Sequence, residues 1–317
     1  MTIHSTFDAR LGQLPSDAYA RIISSIAKID ELKGQWSAGA RLHPQVLGSL
    51  KQSVLITSTG ASTRIEGARL TDEEIEKLMR GITIQTFRDR DVQEVKGYYD
   101  LLVNVFESWR TLRLSEGLIK SFHKELLKYA DKDAFHRGSY KKKENKVIMI
   151  NEAGASVGVL FNTTPAYLTP AAMQELVSWT INARANATHH PLLVIGSFLV
   201  EFLQIHPFED GNGRLSRVLT NLLLLQAGYA YIPYVSHEKL IEDNKPDYYM
   251  ALRKTQQALG TKNQNLEPWL SFFLDIVLQQ STLAVSLISR QYHETVLSKK
   301  QLAVWQYVQE KGEASVG

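Results

Sequence analysis

The chain has 317 residues, enough for one large or two modest domains, and 44% of them are hydrophobic, ample for a core. It contains no cysteine, which excludes disulfides, thiol nucleophiles and Cys-ligated zinc, and none of its nine histidines forms an HExxH pattern (His237-Glu238 and His293-Glu294 lack the second His), so structural zinc is not expected. A formal net charge of +3 does not argue for a nucleic-acid partner, no run approaches about 18 consecutive apolar residues, and residues 1–13 have no signal-peptide pattern; a soluble cytoplasmic protein without membrane association is expected.

Residues 1–15 read as an irregular arm ending at Pro15. Ser16 then caps a helix with Tyr19, Ile22, Ile23, Ile26 and Ile29 at helical spacing, stopping near Gly34. A second helix starts at about Pro44, with Val46, Leu47, Leu50, Val54 and Leu55 on its apolar side. In 58–70 (STGASTRIEGARL), Ser62 to Glu66 can make one helical turn that stops at Gly67 and leaves an acidic side chain near Arg64; the plain alternative is a surface turn. Thr71-Asp72-Glu73-Glu74 is a capping box opening a helix to about Arg80. Two apolar stripes follow, Val92, Val95, Tyr99, Leu102, Phe106 and Trp109, then Leu118, Ile119, Phe122, His123 and Leu126. His123 on that second stripe reads as a hydrogen-bonded core histidine rather than a catalytic one.

Between 137 and 165 the pattern changes. Residues 146–150 and 157–161 are short β-prone runs separated by a stretch containing Gly154, a β-hairpin in an otherwise helical chain, with the basic triplet Lys141, Lys142, Lys143 as a solvated tip. Thr169 and Pro170 open a helix carrying Leu176 and Trp179. Residues 191–205 and 215–226 are apolar on nearly every face, which marks two helices buried on all sides, the second stopping at Gly228. Residues 244–249 lead into a helix through Leu252, and 268–279 is another mostly buried helix. From 299 to 317 the chain begins what looks like the first helix of a winged-helix module.

The two buried helices aim the loop HPFEDGNGRLSR, 206–217, at one place. Gly211, Asn212 and Gly213 lack bulk where a helix begins, so their N–H groups can face an anion, with the helix dipole adding attraction. Arg214 and Arg217, three apart, share a helix face and set two guanidinium forks beyond that cradle. Asp210 is a hard carboxylate of the kind that holds Mg²⁺ against phosphate oxygens. His206, with an ordinary pKa near neutrality, is suited to act as general base toward a hydroxyl. Together these residues describe phosphoryl or nucleotidyl transfer from a Mg-nucleotide.

The same stretch resembles the signature of the Fic (filamentation induced by cAMP) family, HPFx[DE]GNGRxxR, at every fixed position: His206, Pro207, Phe208, Asp210, Gly211, Asn212, Gly213, Arg214 and Arg217. The resemblance implies an all-α fold, a Fic-type helical core with one β-hairpin flap, and a protein adenylyltransferase that moves AMP from ATP to a Ser, Thr or Tyr hydroxyl. His206 would be the base, Asp210 the Mg²⁺ ligand, and Gly211, Asn212, Gly213, Arg214, Leu215, Ser216 and Arg217 the ATP-binding run, with Phe208 packed beneath. A Lys in place of Gly213, which accompanies kinase-like chemistry in relatives, is absent.

Ser62, Glu66 and Gly67 match the family's inhibitory pattern [ST]xxxE[GN], which implies that Glu66 pairs with Arg217 and denies that fork to the γ-phosphate. The hairpin at 146–161 corresponds to the flap on which a target protein docks as an added strand. Asn244, Tyr248 and Tyr249 correspond to the adenine pocket. The implied organisation is 1–90 as N-terminal helices including the inhibitory one, 91–285 as the Fic core, and 286–317 as a C-terminal helical segment. Family members often form homodimers, and in some the reverse, deAMPylating reaction occurs. The alternative from another class is a nucleotide-sensing regulatory or DNA-binding protein acting through the C-terminal segment.

Overall fold

Apolar spacing sets the first elements of the computed structural model, which describes residues 6–39, 44–81, 89–150, 156–261 and 264–296. Where the sequence suggests an irregular arm, residues Thr6–Gly12 form helix α1, because Phe7 and Leu11 lie one turn apart and both are buried. Helix α2 (Ser16–Gly39) continues past Gly34, since Trp36 packs into the core and stacks on Tyr234 with ring centroids 5.6 Å apart. A mid-helix glycine costs only about 1 kcal/mol, which such packing offsets.

Helix α3 (Pro44–Ile65) is the larger departure from expectation: the Ser62 turn is its last turn and no separate element. Ser58, Thr59, Ser62 and Thr63 are poor helix formers, but all are fully buried, and three of their hydroxyls have partners: Thr63 donates to Thr59 O at 2.8 Å, Ser58 donates to Ser236 Oγ at 2.8 Å, and Ser62 accepts from Arg217 Nε at 2.8 Å. The helix stops at Gly67, in the left-handed region at φ 104°. There Ala68 N–H donates to Thr63 O and Gly67 N–H to Arg64 O, both at 3.1 Å, the Schellman arrangement. Arg64 turns away from Glu66 and bonds Glu242, Asp72 and Leu70 O, fixing the helix end from the other side.

Helix α4 (Asp72–Met79) starts at the Thr71/Glu74 capping box. Helices α5 (Asp89–Ser108) and α6 (Glu116–Leu126) cross so closely that a Cβ on Gly97 would strike Leu126 O. Strands β1 (Lys146–Ile150) and β2 (Ser156–Asn162) pair antiparallel, with Lys146 opposite Asn162 and Val147 opposite Phe161; residues 151–155, including Gly154, lie outside the described residues. Of the basic triplet before them, Lys142 and Lys143 are exposed, but Lys141 is only 3% exposed. It is a buried residue and not part of a solvated tip.

Helices α7 (Thr169–Ala185), α8 (Pro191–Ile205) and α9 (Asn212–Gln226) follow, then α10 (His237–Asp243), α11 (Lys245–Ala258) and α12 (Glu267–Val296). Helix α8 is buried all round as its composition requires, with α7, α9, α11 and α12 against it. The main hydrophobic core runs from Phe7 to Ala284, so α1, α2 and α3 share the interior of the later helices, while Ile56, Leu70, Ile75 and Val95 form a smaller cluster under α4. The expected division at 285/286 falls inside α12, and residues 297–317, where the winged-helix start is read, lie outside the described residues. Residues 267–288 of α12 are long and apolar enough to cross a membrane by composition. Leu270, Phe273, Leu274 and Val277 on that stretch are buried in the core, which accounts for the apolar run.

Candidate active site

Helix α8 delivers His206 as its C-cap in the left-handed region, φ 50°, rare for a residue with a Cβ. Its Nδ1 lies 3.3 Å from Leu203 O. A carbonyl only accepts, so Nδ1 carries the proton and Nε2 is left with its lone pair, the form a base requires. Burial pushes the pKa down to about 4, so the ring is neutral near pH 7.

The loop after His206 is pinned from below. Phe208 is buried and stacks on His123 at 3.8 Å between centroids and 9° between planes. His123 is a core histidine with both nitrogens used: Gly138 N–H donates to Nδ1 at 2.9 Å, so Nε2–H donates to Asp210 O at 3.0 Å. The Asn212 amide closes the loop on itself, accepting from Phe208 N–H at 2.9 Å and donating to Phe208 O at 2.8 Å. Gly211 takes φ 78° as the N-cap of α9. The first backbone N–H groups of α9 have no partner within the helix, and among the described residues Gly211 supplies no side-chain cap, so these groups can face an anion.

At the head of α9 three cations alternate with three anions. Arg214 Nη2 donates to Asp210 Oδ2 at 3.0 Å and its Nη1 lies 2.9 Å from Glu94 Oε2; Arg90 Nη2 adds a bond to Asp210 Oδ2 at 3.2 Å. Burial would raise the Asp210 pKa, but Arg214, the Gly211 N–H and Arg90 outweigh it and hold the carboxyl below its ordinary value. Arg217, 2% exposed, donates through Nε to Ser62 Oγ at 2.8 Å and through Nη2 to Ser62 O at 2.9 Å and Glu66 Oε1 at 2.7 Å. Burial opposes its charge, yet Glu66 and neighbouring groups keep its pKa above the ordinary value. Arg217 Nη1 and Arg214 Nε are buried without a hydrogen-bond partner among the described residues. Uncommitted buried guanidinium donors are what a polyphosphate would satisfy. Glu66 Oε1 also lies over the first turn of α9, where a Cβ on Gly213 would collide with it.

Other residues assigned from sequence take different places. Leu215 is fully buried in the core, and the Ser216 hydroxyl donates to Gly213 O at 2.7 Å, so both support α9 rather than present side chains to a ligand. The Asn244 amide donates one of its hydrogens to Leu240 O at 2.9 Å. Tyr248 is a core ring packed among Tyr249, Trp269 and Phe272. Tyr249 reaches the end of α3 instead, its hydroxyl 3.4 Å from Ile65 O.

Residues 113–224, from the connection after α5 to the last turn of α9, match the Fic/DOC family model. Over this stretch the chain is similar to Fic/DOC proteins. It is similar to a probable protein adenylyltransferase of Aquifex aeolicus, 26% identical over 206 residues that cover 63% of this chain and 54% of that protein. It is also similar to the protein adenylyltransferase Fic of Drosophila melanogaster, 31% identical over 103 residues, 32% of this chain and 18% of that one. The chain thus spans about half the length of the first relative and under a fifth of the second. Among solved structures, a Fic family protein from Desulfovibrio desulfuricans superposes with a TM-score of 0.68 at 25% identity, covering 93% of this chain and 84% of that one. A Fic-domain signaling protein from Bacteroides thetaiotaomicron shares the fold with a TM-score of 0.67 at 24% identity, covering 83% and 97%.

The site also draws on residues that the sequence reading leaves out. Glu94 and Arg90 hold Arg214 and Asp210 from α5, more than a hundred positions away in sequence. Their i,i+4 spacing reads as an ordinary helix-surface pair, and Arg90 Nε does donate to Glu94 at 2.8 Å.

Proposed function

We propose that this Fic/DOC domain is an autoinhibited protein adenylyltransferase, transferring AMP from ATP to a Ser, Thr or Tyr hydroxyl. What carries the reading is the convergence, on one loop, of a neutral His206 with a free Nε2 and two buried arginines at the head of α9. The hydroxyl oxygen attacks the α-phosphorus, its proton passes to His206 Nε2, and the bond to the β-phosphate breaks to release pyrophosphate. The free N–H groups of α9 and the forks of Arg214 and Arg217 bind and orient the phosphates. The acceptor segment is held as an added strand against β1 and β2, the flap of this reading. With an AMP-modified protein in the site, Glu66 is the group to orient a water for the reverse reaction.

Asp210 fits Mg²⁺. One partly buried carboxylate held ionised by two arginines suits an ion that keeps several waters and takes its remaining ligands from phosphates. When bound, the ion neutralises phosphate charge. Asp210→Ala is expected to weaken Mn²⁺ binding in the presence of ATP, read by electron paramagnetic resonance, and to abolish transfer. Glu209→Ala, at an exposed neighbour, should leave both close to the parent protein. The reverse ranking would exchange the two roles.

The reaction itself is tested by incubating the Glu66→Gly protein with ATP labelled at either the α- or the γ-phosphate, with Mg²⁺. Label retained on protein from the α-position alone is expected; retention from the γ-position would mean phosphoryl transfer, and retention from neither would overturn the reading.

A further inference from the structure

Four successive carbonyls at the catalytic corner are held by two residues of one short segment. Lys141 Nζ donates to Ile205 O at 3.0 Å, and Lys141 N–H donates to Pro207 O at 2.8 Å. Asn145 Nδ2 lies 3.4 Å from His206 O and donates to Phe208 O at 2.9 Å. The remaining Lys141 donors go to Asn145 Oδ1 at 2.8 Å and Thr163 Oγ1 at 2.9 Å, so all three ammonium hydrogens are used, each on a neutral acceptor. Asn145 and Thr163 directly flank the Lys146–Asn162 pair at the root of the two strands.

This arrangement is costly. A lysine 3% exposed among neutral acceptors is disfavoured as a charge, and burial pulls its pKa down to about 8. His206 at φ 50° adds backbone strain of order 1–2 kcal/mol, a conformation that persists only where surrounding groups over-determine it. An aliphatic residue at 141 would remove the buried charge but leave Ile205 O, Asn145 Oδ1 and Thr163 Oγ1 without this donor. The two unfavourable features meet at Ile205 O, one residue before the base.

We propose that Lys141 is a positioning residue: by tying Ile205 O to Asn145 and Thr163 it fixes the backbone turn that presents His206 Nε2, and it links that turn to the root of the β1–β2 pair. The proposal rests on His206 being the base. Among the described residues no carboxylate is hydrogen-bonded to the ammonium, and Glu144 acts on it only through space, which distinguishes Lys141 from the ion pairs elsewhere in the site.

The test uses Lys141→Met and Lys141→Ala in the Glu66→Gly protein, with three readouts: labelling rate, Mg·ATP affinity, and titration of the His206 ring by NMR. Misplacing a base by about 1 Å costs on the order of 10²-fold in rate. Lys141→Met is therefore expected to slow labelling by about that factor with ATP affinity unchanged, and to move the His206 titration upward from about 4 as the ring loosens and the neighbouring positive charge is lost. Ethylamine added to Lys141→Ala should restore part of the rate. Parent-like labelling by Lys141→Met, a loss of ATP affinity in step with the rate, or an unmoved His206 titration would each overturn the assignment. Should Lys141→Met not fold, Thr163→Val keeps the shape, removes one acceptor, and should give the same pattern at smaller size. If the Glu66→Gly parent fails to label at all, the adenylyl-transfer reading falls, while the His206 titration still decides the role of Lys141.

Discussion

His206→Ala, made in the Glu66→Gly protein so that there is a rate to lose, is expected to reduce labelling by on the order of 10²- to 10⁴-fold and to leave Mg·ATP affinity nearly unchanged. The separation follows from geometry. In the proposed reaction phosphate affinity resides in the leading N–H groups of α9 and in Arg214 and Arg217, whereas His206 Nε2 takes the proton of the incoming hydroxyl and has no phosphate to hold. The same residue sets a pH signature. An ordinary histidine near 6.5 would lose its base form as pH falls through 6.5, but burial has moved this one to about 4. Below the folded pKa the ring is protonated and inactive; above it the base form persists. Labelling should therefore hold from pH 7 to 5.5 and fall only on approach to 4. An acid limb centred near 6.5, or calorimetry showing ATP affinity lost along with the rate in His206→Ala, would contradict the role.

The catalytic loop was legible in the sequence because its chemistry is local. The residues from His206 to Arg217 are contiguous, and their types and spacing are enough to indicate a phosphate cradle. The α3 terminus was legible in part: the Glu66 to Arg217 contact follows from the family pattern, but its setting does not. Ser58, Thr59, Gly60, Ser62 and Thr63 have low helix propensity, and their burial against other elements makes them the last turns of a continuous α3. Lys141 was hidden by its company. A basic triplet reads as solvated, and nothing in the residue types separates the one lysine whose three donors meet a helix end. At Asn244 and Tyr248 residue type shows only part of the setting: an amide and a tyrosine are apt groups for a base, and the fold adds a bond from Asn244 to Leu240 O and a contact of Tyr248 with Trp269.

Glu66→Gly is expected to raise self-labelling from a nearly silent wild type by roughly 10- to 100-fold, the equivalent of one charge-assisted hydrogen bond of about 1.5–3 kcal/mol. At the head of α9, Glu66, Asp210 and Glu94 face Arg90, Arg214 and Arg217, so the cluster is balanced as it stands. Removing Glu66 leaves one cation in excess, on an arginine whose Nη1 is already unpartnered. It also clears the space over Gly213 that the carboxylate fills. A triphosphate can then reach the fork with its α-phosphate facing His206. Glycine suits the vacated position, since residue 66 is the C-cap before Gly67, and Ser62 continues to accept from Arg217. The lost ion pair should still lower the unfolding midpoint. Arg217→Ala should be silent with either residue at 66, because it deletes the group for which carboxylate and phosphate compete. Labelling by wild type, each single mutant and the double mutant therefore forms a cycle with a large coupling term. If Glu66→Gly labels no faster than wild type, or if Glu66→Gly activates equally in the Arg217→Ala background, the ion pair supports the end of α3 and does not restrain the site.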